Sequence, residues 1–123
     1  MEIISSPHAP AAIGPYAQAI VHNGLIYTSG QIALNAQGEF IGGDISAQAH
    51  QVLKNLKAVL EAGGSSLAKV IKTTVFLSDM DHFAPLNAIY GEYFSTHKPA
   101  RSTVAVKTLP KNALVEIECI AQV

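Results

Sequence analysis

The sequence predicts an α+β fold in which two helices cover one face of a mixed sheet. Three observations carry that expectation. An Asn-Gly turn joins two short apolar runs, two later stretches repeat apolar residues at helical spacing, and three β-branched runs lie between and after those stretches. Two helices of this length can cover one face of a four- to six-stranded sheet, but not both.

Taken in order, Ala17–Val21 and Leu25–Ser29 flank His22-Asn23-Gly24, and Asn-Gly between apolar runs is a strong hairpin signal. A second turn is predicted around Asn35–Gly38, between Gln31–Leu34 and Glu39–Ile41. After Gly42-Gly43, Asp44 or Ser46 can accept the free amide hydrogens of a helix start. Ala49, Val52, Leu53, Leu56, Val59 and Leu60 then recur at spacings of three and four, one apolar stripe on a helix of about 17 residues closed by Gly63-Gly64. Gln48, Gln51, Lys54, Asn55, Lys57 and Glu61 make up the predicted solvent face.

Val70–Leu77 is β-branched and aromatic and reads as a strand, with Ile71, Thr73, Val75 and Leu77 sharing one face. A second helix follows Ser78–Asp81, turning Phe83, Leu86, Tyr90 and Phe94 inward and ending at His97-Lys98-Pro99. Pro85 makes its first turn irregular, with Asp79 or Asp81 as the cap. Two final strands, Ser102–Thr108 and Leu114–Ala121, are separated by the Pro110-Lys111-Asn112 turn. No linker or repeat interrupts the chain, so residues 1–123 are expected to form one domain.

Charged residues are only 14% of the chain, little to solvate the surface of a small domain. The uncovered sheet face mixes Thr, Lys, Glu and Val. Both features point to a surface hidden in an oligomer. A net charge of −1 with scattered lysines leaves no footprint for nucleic acid. One cysteine excludes an internal disulfide, and neither a secretory signal pattern nor a membrane-length apolar run is visible, so the cytoplasm is the expected location.

The five histidines have no spacing that brings two onto one metal, and they are expected at the solvent. Cys119 alternates with Val115 and Ile117 and reads as a small core residue. Arg101 differs because it is the only arginine, set where Pro99 stiffens the entry to a strand. Its planar fork matches a carboxylate bidentately, although an ordinary surface or interface ion pair fits the residues equally. Glu116 and Glu118 point to one sheet face about 7 Å apart, either as a general acid/base pair or as an exposed acidic edge. Asn87 sits near the apolar seam of the second helix, where a buried amide must be hydrogen-bonded.

The segments AAIGPYAQAI, YTSGQI, VIKTTVFLSDM, the Asn87–Tyr90–Phe94 helix, PARS and LPKNALVEIECIA stand in the order and spacing of one family. From about Ala12 to Ala121 the chain resembles the RidA/YjgF reactive intermediate deaminases. The resemblance implies a chorismate-mutase-like α+β fold and a homotrimer with sites in the clefts between subunits. It also implies hydrolysis of 2-aminoacrylate and related 2-imino acids, made by pyridoxal-phosphate enzymes, to 2-keto acids and ammonia, with no cofactor or metal. Residue by residue, Arg101 resembles the carboxylate-binding arginine and Glu116 the residue that activates water. Tyr16, Ser29, Gly30 and Asn87 resemble the pocket lining. Thr103 stands where many members carry cysteine, so only a backbone or hydroxyl contact is expected there. A non-enzymatic trimer that binds 2-keto acids or regulates a partner is the alternative; translation inhibition or ribonuclease activity fits the charge less well.

Overall fold

The computed structural model describes residues 1–123. Its strands are β1 (Glu2–Ile4), β2 (Ala19–His22), β3 (Leu25–Thr28), β4 (Val70–Leu77), β5 (Ala100–Ala105) and β6 (Val115–Gln122); its helices are α1 (Ile45–Ala62) and α2 (Phe83–Tyr93). The sheet runs β1-β2-β3-β6-β4-β5. Only β4 and β5 pair in parallel, and the other neighbours are antiparallel. Strands β3 and β4 therefore run the same way on either side of β6, with α1 as the crossover between them, and α2 crosses from β4 to β5. Both helices pack on one face, as the sequence predicts.

The β2–β3 hairpin turns on Asn23 and Gly24, both in the left-handed region (φ 51° and 79°), as a two-residue hairpin of this twist requires. Asp44 caps α1 by accepting from the Ala47 amide at 2.9 Å, and Gly63 closes it. Pro85 falls in the first turn of α2, where its missing N–H has no intrahelical acceptor to lose. A 3₁₀ turn over Met80–His82 leads into that helix, with Asp79 accepting from the Asp81 amide at 2.8 Å.

The core sits between helices and sheet. Ile26, Val75, Leu77, Val115, Ile117 and Ala121 of the sheet meet Val52, Leu53, Leu56, Val59 and Leu60 of α1 and Leu86 of α2. Cys119 joins it, 4% exposed, as expected.

Several expectations are corrected. The sequence offered no β1; three residues are too few to show alternation, and their pairing with Ala19–Val21 is what makes them a strand. Ile71 does not share a face with Thr73. A register shift between Val70 and Lys72 turns Val70 inward and leaves Ile71 47% exposed. On α1, Gln48 and Asn55 are buried. Gln48 donates to the Gly43 carbonyl (3.0 Å) and accepts from the Leu114 amide (2.9 Å), while Asn55 donates to the Leu34 carbonyl (2.8 Å). The turn at Asn35–Gly38 exists, with the Asn35 carboxamide accepting from the Gln37 and Glu39 amides, but it carries one bridge, Leu34 to Phe40. The strand predicted over Ser102–Thr108 lies two to three residues earlier, because its ladder is set by β4.

The other sheet face is left bare. Ile3, Tyr27 and Val104 are 73%, 42% and 47% exposed, and Ile20, Phe76 and Ile120 lie half-buried among them. No helix of the chain is long and apolar enough to cross a membrane.

Candidate active site

Arg101 follows the start of β5 and pairs in register with Thr73 of β4, which is fully buried under the helices. Its side chain therefore rises on the helix side. One stripe of α2 receives it: Phe83, Asn87 and Tyr90 stand four and three residues apart, and all three touch the guanidinium. Its Nη1 donates to Asn87 Oδ1 at 2.7 Å, and its central carbon lies 4.7 Å from the Tyr90 ring centre and 5.4 Å from that of Phe83. Two aromatic faces hold the cation by their quadrupoles. The hydrogen-bonded partner is a neutral amide, so the positive charge is held without being neutralised. This geometry departs from the ion pair that the residues alone left open. The guanidinium, Asn87, Tyr90, Phe94, Lys98 and Pro99 line a cleft of about 380 Å³.

The phenol of Tyr90 shares a 2.7 Å hydrogen bond with Thr73 Oγ1. Burial raises its pKa, against the Thr73 hydrogen bond and the nearby Arg101 charge, which lower it. Thr103 is two residues beyond Arg101 on the same side of β5, and its hydroxyl oxygen is buried without a hydrogen-bond partner.

Glu116 lies on the other side of the sheet. It pairs with Phe76 and stands between Val115 and Ile117, which point into the core. Gly30 is packed directly against its carboxylate, so that a Cβ at this position would collide with it. That approach is held by Gln31, which exchanges backbone hydrogen bonds of 2.9 and 3.1 Å with Ile117. Burial pushes the Glu116 carboxyl above its ordinary range, and the neighbouring Glu118 charge adds to the rise. Glu116, Gly30 and Tyr16 share a cavity of about 360 Å³ with Gln18, Ile13 and Lys111. Tyr16 and Ile13 are 56% and 83% exposed at its rim.

The residues singled out in the sequence thus fall into two groups. Arg101, Asn87 and Thr103 belong to the helix side; Glu116, Gly30 and Tyr16 belong to the bare side, and the two cavities share no lining residue. Ser29 serves the second group through its hydroxyl, which donates to the Ala17 carbonyl at 2.6 Å, while its amide donates to the Gln18 carbonyl. It ties down the segment that presents Tyr16.

Sequence reasoning missed Gln18, whose carboxamide accepts from the Ser6 amide (2.7 Å) and donates to the Pro10 carbonyl (2.8 Å), fixing the arm over the cavity. It also missed Lys111, which reaches the cavity from a left-handed backbone (φ 57°). Three of the five histidines are half-buried. His50 meets the Tyr93 hydroxyl at 3.0 Å, His97 contacts the Val70 carbonyl, and His82 has an unpartnered Nδ1. No three His, Cys, Asp or Glu side chains gather as a metal cluster would.

The mixed sheet of this α+β chain thus carries a lone, aromatic-framed arginine on one side and a half-buried carboxylate on the other. The profile of the Endoribonuclease L-PSP family matches residues 6–123, and the chain belongs to that family, which is also the RidA/YjgF family. A RutC family protein of Synechocystis is 54% identical over 124 residues, covering 98% of this chain and 95% of its own. The 2-iminobutanoate/2-iminopropanoate deaminase of Escherichia coli is 46% identical over 121 residues, covering 96% of this chain and 94% of its own. The crystal structure of E. coli TdcF with bound serine matches with a TM-score of 0.95 at 41% identity, covering 100% of this chain and 99% of that one.

Proposed function

We propose that this chain is a cofactor-independent deaminase that hydrolyses 2-imino acids, 2-aminoacrylate among them after tautomerisation, to 2-keto acids and ammonia in the cytoplasm. The observation that carries the proposal is the Arg101 guanidinium, clamped by Asn87 and two aromatic rings with its charge left for an anion. A relative of this fold holds serine, an amino acid with the same carboxylate, and another is named for the reaction.

The chemistry needs binding and aim more than power. A protonated imine is already electrophilic, so holding it by the carboxylate beside an oriented water supplies much of the rate. Arg101 binds the carboxylate, with Asn87 and Thr103 beside it. Glu116 takes a proton from water as its oxygen bonds to C2. Glu116 returns that proton to the nitrogen, and the C2–N bond breaks as the C2 hydroxyl becomes the keto oxygen, giving its own proton to Glu116, so that ammonia and the 2-keto acid leave. A carboxyl raised by burial suits both halves of that exchange.

Arg101 and Glu116 lie on opposite sides of one sheet, so a complete site needs two copies. We infer a homotrimer in which the bare sheet faces pack together and Arg101 of one copy meets Tyr16, Gly30 and Glu116 of the next. The apolar row Ile3, Ile20, Tyr27 and Ile120 supports this, since an apolar patch of that kind favours cover by a partner.

Subunit mixing tests the proposal. Arg101→Ala and Glu116→Gln are each expected to be inactive when imine decay is followed beside a serine/threonine dehydratase. Reassembled together, they should regain up to about a quarter of the wild-type rate, because random cyclic assembly pairs two intact halves at that frequency. Full activity in Arg101→Ala alone overturns the assignment. Silence in the mixed oligomer overturns the shared site. Binding of 2-keto acids without hydrolysis of any imine leaves the regulatory reading.

A further inference from the structure

We propose that Tyr90 and Thr73 form a couple that positions the Arg101 guanidinium, setting affinity for the substrate carboxylate through the plane in which the guanidinium is held. This rests on Arg101 being the carboxylate anchor.

Tyr90 and Phe94 sit one turn apart, 8% and 4% exposed, with ring centres 4.7 Å from each other. Both fill the space beneath α2, and an apolar ring suffices for packing at Phe94. At Tyr90 the ring carries a hydroxyl, and a buried hydroxyl is costly unless bonded. Its partner is Thr73 Oγ1 at 2.7 Å, on a residue with no exposed surface. Thr73 is also the register partner of Arg101 across the parallel β4–β5 ladder. The three residues therefore close a loop: β4 holds the Tyr90 ring through Thr73, the ring lies 4.7 Å from the guanidinium carbon, and the guanidinium returns to β4 through β5. Without the hydroxyl bond the ring is free to rock about its own axis, and the face on which the cation rests tilts with it. Asn87 fixes one nitrogen, Nη1. The couple fixes the plane, which decides whether the remaining N–H groups meet a carboxylate in line.

The test uses the assembled full-length protein, with 2-oxobutyrate as binding probe and dehydratase-generated imine as substrate. Tyr90→Phe and Thr73→Val should each weaken 2-oxobutyrate binding by roughly three- to ten-fold, the range of one neutral hydrogen bond. KM should rise in step while kcat stays within roughly two-fold, as for an interaction equal in ground and transition states. The double variant should bind no worse than the single ones, since one hydrogen bond is lost once, and Thr73→Ser should restore the affinity that Thr73→Val loses. Unchanged affinity in both single variants, or losses that add, overturns the couple; so does a fall in kcat at constant KM. If Tyr90→Phe compromises folding, the Val and Ser replacements at Thr73 decide alone. Arg101→Ala, measured beside them, separates the two claims. Retained affinity there removes the carboxylate reading itself, whereas lost affinity there with full affinity in Tyr90→Phe removes only the couple.

Discussion

On the helix side of the sheet, Arg101 is framed by three side chains of α2 and bonded to a neutral amide, whereas on the bare side Glu116 is pressed against backbone at Gly30 and repelled by a second carboxylate. The cation sits in a finished cradle. The carboxylate sits in an unfinished one, with its aromatic neighbour Tyr16 largely in solvent. A group whose task is to bind gains from rigidity. A group whose task is to take and return a proton gains from a raised pKa, and partial burial beside a like charge supplies it.

Replacing the proposed proton carrier should sharpen that contrast most. Glu116→Gln keeps the shape of the site and is expected to lower kcat by about 10²–10⁴-fold while 2-oxobutyrate still binds; equal loss of binding and rate would place Glu116 in the cradle instead. A smaller effect is expected from Gly30→Ala. The added methyl displaces the carboxylate against which Gly30 is packed, and misplacing a catalytic group costs on the order of ten- to a hundred-fold in rate. Melting temperature and binding measured on the same variant show whether the loss is local.

The smallest effect is on pH. In the proposed reaction ionised Glu116 acts as the base, and burial followed by Glu118 disfavours that form, so the acid limb of kcat should lie above the ordinary carboxylate range. The same sign governs stability: the group carries no penalty at low pH, and stability is lost as pH rises through the raised value. Glu118→Gln should move the limb down by less than about one pH unit. A limb that stays in place would leave burial as the sole cause.

Much of the fold was legible because its signals are local. The Asn23-Gly24 turn, the apolar stripe of α1 and the β-branched run of β4 each lie within a few residues. What escaped depends on partners far along the chain. Gln48 and Asn55 read as solvent-facing amides, and it is the Leu114 amide, bonded by Gln48, and the carbonyls of Ile32 and Leu34, bonded by Asn55, that make them interior. The bulge that turns Ile71 outward belongs to the pairing with β6, about fifty positions away. The site divides the same way. The isolation of Arg101 and the parity that sets Glu116 opposite the core residues Val115 and Ile117 could be read directly, but the placement of the two on opposite sides of the sheet follows from β6 entering beside β4. The cradle of Phe83, Asn87 and Tyr90 had one local trace, their common stripe on α2.

Cys119 carries a last consequence. It is the only thiol in the chain, nearly enclosed between β3 and β4, with its pKa pushed up to about 11 by burial, against the Thr28 hydrogen bond. The protonated imines of the proposed reaction are electrophiles to which a thiolate can add. Throughout the physiological range the sulfur stays protonated and out of reach. Were the proposed imines its substrates, the protein would be spared by them: its one soft nucleophile is locked away from the pocket.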